Sequence, residues 1–289
     1  MSSIHPIRPS PISGTWYSSD PTKLALEIDQ YITLAKNPEI DGKIIGILAP
    51  HAGYQYSGPT AGFAFRTVMN REYDLVIILS PYHAYHSALL LTSAHQMYST
   101  PLGLVSVNLE ILRELQIGLS KIDFQLAQVA NDREHSLEIE IPFLQRSING
   151  EFQILPLMIR HVTPDDAKII AKILFDRIRL KKVLIVISSD LSHFYEQSLA
   201  SRFDMEILNK ISTYSLEDVF ETEKNGSGFA CGLGAILIGM ELTRLLGGNE
   251  IKILSHSTSG DQTGDYQSVV GYGAAAFIAK SLHEDAEIE

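Results

Sequence analysis

The sequence predicts a three-layer α-β-α chain built on a central mixed, largely parallel sheet, and two observations carry that prediction. Short runs rich in Val, Ile and Leu recur at residues 44–49, 75–80, 89–92, 154–159, 183–188 and 251–254. They are continuous rather than alternating, as expected of strands buried on both faces. Amphipathic stretches long enough for helices lie between many of them, the pattern of an α/β fold. Residues 21–35 form the first such stretch, with Asp20 as N-cap and Pro21 at the first helical position, where a missing N–H costs nothing. Residues 109–115, 136–146, 164–179 and 197–211 are others, and residues 235–246 show a further helical pattern. No repeat, low-complexity segment or linker interrupts the series. A single domain over residues 1–289 is therefore expected, with the acidic end 284–289 as a frayed tail.

Composition narrows the function classes. Hydrophobic residues make up 45% of the chain and charged residues 20%, enough for a sizeable core. A net charge of -11 gives no electrostatic footprint for a phosphate backbone, which argues against nucleic acid as a partner. Cys231 is the only cysteine, so an intramolecular disulfide is impossible. The first 20 residues hold three prolines and no apolar run of signal-peptide length. No run is long enough to span a bilayer. A cytoplasmic protein with no membrane partner is the expectation.

The chemistry should sit where strands end. Residues 44–49 run into Pro50-His51-Ala52-Gly53-Tyr54, residues 75–80 into Pro81-Tyr82-His83, and residues 183–188 into Ser189-Asp190-Leu191-Ser192-His193. Each strand thus delivers ligand-type side chains just past its carboxyl end, the edge at which open α/β sheets bind ligands. If those strands are neighbours and parallel, His51, His83, Asp190 and His193 converge. Imidazoles with a carboxylate suit a first-row transition metal, whereas an all-oxygen set would suit magnesium or calcium. A lone strand-end histidine more often just hydrogen-bonds a loop, but three strands ending alike tip the balance toward a site.

Three other segments hold candidates. Cys231 lies in a Gly-rich stretch before the helical pattern at 235–246. A thiol near a helix N-terminus can have a depressed pKa, which makes Cys231 a soft ligand or nucleophile; the alternative is a small packing residue. In residues 134–142, a helix would place His135 and Glu138 on one face, as an acid/base and its orienting partner or as a solvated pair, with Asn131 or Asp132 as cap. Residues 258–266 read as tight turns able to line the pocket with hydroxyls and Asp261. P-loop, GxSxG, HExxH, CxxC and dinucleotide-glycine motifs are all absent from the sequence.

Taken together, the motifs resemble the Memo family, whose bacterial and archaeal members are called AmmeMemoRadiSam system protein B. The resemblance rests on Arg8-Pro9, Gly14-Thr15-Trp16-Tyr17, Ala49-Pro50-His51-Ala52-Gly53-Tyr54 and Tyr56-Ser57-Gly58, then on Glu134-His135-Ser136-Leu137-Glu138 and Ser188-Ser189-Asp190-Leu191-Ser192-His193. Cys231-Gly232, Thr258-Ser259-Gly260-Asp261 and Gly264-Asp265-Tyr266 complete it. It implies a fold similar to the class III extradiol non-haem iron dioxygenases of the LigB type. It also implies metal ligation by His51, His83 and Cys231, with Asp190 and His193 lining the same pocket; those two and His135, from the reading of residues 134–142, are the catalytic candidates. Iron or copper is the implied cofactor, and the family name implies a radical SAM protein as partner. The extradiol enzymes use two histidines and a carboxylate, so the cysteine departs from their pattern.

Three functions compete at this stage. The first is a metal-dependent redox or oxygenase-like protein acting on an unknown small molecule. The second is a non-catalytic binder of a peptide or small molecule, with Trp16, Tyr17, Tyr54 and Tyr56 as contact surface. The third is a metal-free hydrolase with Cys231 as nucleophile.

Overall fold

The computed structural model describes residues 4–36 and 39–280. The tail expected at 284–289 lies outside the described residues. The first elements are β1 (Ile7–Arg8), α1 (Pro21–Leu34), β2 (Lys43–Ala49), α2 (Tyr54–Arg66), β3 (Arg71–Glu72), β4 (Leu75–Pro81), β5 (Leu90–Ser93) and β6 (Met97–Thr100). Next come β7 (Gly103–Val107), α3 (Leu109–Ser120), β8 (Leu126–Val129), α4 (Glu140–Ser147), β9 (Ile148–Asn149), β10 (Gln153–Ile159), α5 (Pro164–Ile178) and β11 (Val183–Ser188). The chain continues through β12 (Asp190–Tyr195), α6 (Gln197–Ser212), α7 (Leu216–Lys224), α8 (Leu233–Leu245), β13 (Glu250–Thr258), α9 (Gly260–Thr263) and β14 (Val269–Ala279).

A 12-stranded sheet runs β1-β6-β7-β10-β4-β11-β2-β14-β12, with β13 on β14 and the β5–β8 pair on β10. Its centre is parallel: β10, β4, β11 and β2 pair in register without a break. Every residue of β4 and β11 is buried, which explains their unbroken apolar sequences. The mixed character comes from β14, which runs antiparallel to β2, β12 and β13, and from the antiparallel pairs β6–β7 and β5–β10. Helix α8 packs on β4 and β11 together with α5, while α1 and α2 pack on each other and α2 covers β2 and β14. The close fit of α8 depends on Gly239, where a Cβ would sit 2.3 Å from Ile187 Cδ1. The three-layer α/β architecture expected from the sequence is the architecture observed.

Local rules account for most element boundaries. Asp20 caps α1, its Oδ1 accepting from Lys23 N at 2.9 Å, and Leu24, Ile28 and Ile32 make a buried stripe at spacing four. The helix expected over 136–146 is shorter. Residues 136–139 form turns, and α4 begins at Glu140 with Ile139 at its cap and no side-chain cap bond. Pro142 explains this: it has no N–H to give Glu138, and its ring crowds that carbonyl, so it is confined to the first turn and a regular helix cannot extend back to 136–138. The caps expected from Asn131 or Asp132 are not made. Among the described residues, no helix is long and apolar enough to cross a membrane.

Candidate functional site

Parallel β2, β4 and β11 end side by side, and each is followed by a polar group. His51, past β2, is 1% exposed. Its Nδ1 meets Ser188 Oγ at 3.0 Å, leaving Nε2 3.2 Å from the sulfur of Cys231. Ser188, the last residue of β11, is fixed in turn by the Ser136 carbonyl at 2.6 Å and the Glu140 carboxyl at 2.7 Å. Burial raises Glu140 well above the usual carboxylate range, so it sits there as a neutral hydrogen-bonding acid. Burial and the nearby imidazoles of His135 and His83 hold His51 well below its ordinary pKa. It is a neutral nitrogen donor.

His83, past β4, is oriented by Glu134. The Glu134 carboxylate accepts from His83 Nδ1 at 2.9 Å and from the backbone N–H groups of His83, His135 and Ser136 at 2.6, 3.0 and 3.0 Å. Burial alone would raise Glu134, but these bonds and the His83 charge outweigh it and hold the carboxyl far below its usual range. Burial likewise pulls His83 down, and Glu134 more than restores it. His83 Nδ1 is thereby occupied and Nε2 left as the free donor. His135 stacks on His83 with ring centroids 4.9 Å apart, and burial pushes its pKa down to about 4 against the pull of Glu134.

The expected pairing of His135 with Glu138 is not made. Glu138 turns away into a buried clamp with Arg8, Ser10 and Tyr17. Arg8 also holds Asp132 Oδ1 at 2.8 Å and the Glu134 carbonyl at 2.7 Å. This clamp ties down the N-terminal strap that lays Trp16 on His135, with ring centroids 4.1 Å apart. Glu134 and Arg8 are the residues that strand-end reasoning passed over. For Glu134 the available signal was Pro142, which forbids the helix that would have paired His135 with Glu138.

Cys231 precedes α8, but its N–H is used by the Asp190 carbonyl at 3.1 Å, and its sulfur accepts from Asp190 N at 3.2 Å. The expected depression of its pKa does not occur. Burial pushes the thiol well up, and the Asp190 carboxylate adds to the effect. Asp190 accepts from the backbone of His51 at 2.7 Å, and burial, only partly offset by that bond, pushes it up to about 7. His193 spends Nδ1 on the Leu191 carbonyl at 2.8 Å and, with Cys231, lines a cavity of about 280 Å³.

The ligand atoms of His51, His83 and Cys231 lie within 4.8 Å of one another, as do those of His83, Glu134 and His135. Asp190 touches the first group through backbone and carboxylate, whereas His193 is outside both groups. Of the turn-rich segment, Ser259, Thr263 and Asp265 line a groove beside Trp16, while Asp261 is spent on Thr258 N at 2.7 Å.

Fold and cluster together define a class: an α/β chain with an imidazole–thiol group at the carboxyl edge of its parallel strands. Residues 8–276 match the family model for Memo-like proteins. The chain is 33% identical over 276 residues to a MEMO1 family protein of Nitrosopumilus maritimus, covering 94% of this chain and 100% of that one. It is 32% identical over 279 residues to a MEMO1 family protein of Saccharolobus solfataricus, with 92% and 97% of the two chains covered. A Saccharolobus islandicus member matches at 31% over the same length and coverage. The chain belongs to the Memo family.

Proposed function

We propose that this Memo-family chain is a metal-dependent redox protein with oxygenase-like chemistry on a small molecule, and that His51, His83 and Cys231 hold iron or copper. One observation supports the reading above all: two imidazoles, each with Nδ1 already bonded, bring a ring nitrogen each to within 4.8 Å of one another and of the only cysteine, whose sulfur lies 3.2 Å from His51 Nε2. The donor set fits the group. Neutral imidazoles with a thiol are borderline-soft ligands, suited to iron or copper rather than to magnesium or calcium. The thiol of the metal-free chain is protonated, and a bound cation would displace that proton.

When bound, the metal supplies the electron-transfer and oxygen chemistry that side chains lack. The chain's own residues do the rest. Glu134 and Ser188 fix the tautomer and orientation of His83 and His51. His135, neutral above pH about 4, accepts a proton from a substrate group at a ring nitrogen. Asp190, pushed up to about 7, holds or releases a proton near neutrality. Trp16 covers the His135 face and excludes water. A metal-free cysteine hydrolase fits less well, because a buried thiol with a raised pKa is a poor nucleophile.

The test is an anaerobic titration of the purified protein with iron(II) and copper(I), beside His83→Ala and Cys231→Ala. Stoichiometric binding lost by at least about 100-fold in both variants is expected. A wild type that stays metal-free under replete, reducing conditions overturns the reading. The groove beside Trp16 favours a second reading, a binder without chemistry, which requires ligand affinity to survive His51→Ala and Cys231→Ala.

A further inference from the structure

A groove of about 470 Å³ opens beside the imidazole–thiol cluster, walled by Trp16, Tyr56, Phe194 and Tyr272. It adjoins the cluster at two points. Trp16 also stacks on His135, and Tyr272 pairs in register with Asp190 across β14 and β12. Phe194 is 74% exposed and has φ of 65°. A bulky side chain held in the left-handed region and turned to solvent costs free energy twice, and strain of this kind concentrates at ligand contacts.

The charge of the lining is one-sided. Among the described residues no arginine, lysine or histidine lines the groove, and Asp265 is its only ionisable carboxylate. Asp265 Oδ1 accepts from Gln267 N at 3.0 Å, and among the described residues Oδ2 has no hydrogen-bond partner. An anion entering here would lose hydration and gain no counter-charge. A cation would gain aromatic faces and a carboxylate. Gly53 and Gln55, at the start of α2, also line the groove; the Tyr54 and Tyr56 N–H groups of that turn are spent on the Trp16 and Gly53 carbonyls, which leaves the Gln55 N–H for a neutral oxygen on the same ligand.

We propose that this groove binds a small organic cation, an ammonium group on a flat apolar body. Its volume is that of a small-molecule site. Calling the ligand a substrate rests on the redox reading above; its binding does not.

Trp16 is the only tryptophan, so intrinsic fluorescence reports the groove directly. The metal-free full-length chain is titrated with phenethylamine, benzyl alcohol and phenyl phosphate. Saturable quenching by phenethylamine is expected, at least about tenfold tighter than by phenyl phosphate, with benzyl alcohol between them. Asp265→Asn keeps the Asp265 turn and should remove most of that preference, while Phe194→Ser should weaken amine binding several-fold. Phenyl phosphate binding as tightly as the amine overturns the proposal. So does an amine signal that never saturates or that both variants leave unchanged. With no metal in this experiment, its failure and a failed metal titration remain separate results.

Discussion

The centre and the margin of the sheet deliver their functional side chains by different means. At the centre, β4, β11 and β2 run parallel in unbroken register, and His51 and His83 simply follow where the strands stop. At the margin, β12 pairs antiparallel with β14 through two register shifts, one on either side of His193. The bulged backbone needs outside support. Asp204, fully buried on α6, accepts from Ser192 N at 2.9 Å and from His256 Nε2 at 2.9 Å. Its carboxylate occupies the space left by Gly271, where a Cβ would lie 1.9 Å from Oδ2. Topology places the central groups, whereas a buried polar network places the marginal ones.

The largest effect expected from breaking this comparison is at Asp204. Asp204→Ala leaves Ser192 N–H and His256 without their buried partner, at a cost of about 3 kcal/mol. Thermal unfolding should then shift down by roughly 5–10 °C. A shift under about 2 °C would mean that the margin holds its shape without the network. At the centre, Glu134→Gln should spare the fold while loosening His83, weakening iron(II) or copper(I) binding by about 10- to 100-fold in a competition titration. Unchanged affinity would show that strand geometry alone is sufficient.

Acid should act next. His51 and His135 are held neutral by burial, His135 down to about 4 from an ordinary 6.5. The unfolded chain binds those protons near pH 6.5, and the native chain only much lower. Their contribution to stability is therefore complete above about 6.5 and drains away as pH falls toward 4. Glu134, held low, adds a loss below the usual carboxylate range, while the raised pKa of His83 works in the opposite direction. Asp190, pushed up to about 7, and the buried Glu140 are protonated only in the native chain over this range and also oppose the loss. Asp190→Asn removes one opposing group, so its Tm should fall more steeply than wild type between pH 7 and about 5, and an unchanged slope would contradict this account. The smallest effect expected is at Phe194. Phe194→Gly relieves a positive φ and should raise stability by up to about 1 kcal/mol in urea unfolding, even as ligand contact is lost.

The same contrast explains what could be read from sequence. Continuous apolar runs with ligand-type residues behind them identify β2, β4 and β11, and with them His51, His83 and Asp190, because topology needs nothing beyond the local pattern. Glu134 was hidden, since the spacing of His135 and Glu138 suggests a helix face that Pro142 forbids. Ser188 and Arg8 act through partners 137 and 130 residues away, and no local pattern encodes such pairings. The thiol of Cys231 was misread for a related reason. Position before a helix suggests a lowered pKa, but burial against Asp190 decides the direction.

One consequence follows from how far apart the cluster's members lie in the chain. His51 and Cys231 are 180 positions apart, and the clamp beneath His135 joins residues 8 and 138. During synthesis the histidines leave the ribosome long before the cysteine, and contacts of such separation close late in folding. The three donors therefore do not exist as a set in a nascent or locally opened chain. A cation held by this proposed set would be chosen by the finished protein rather than captured along the way.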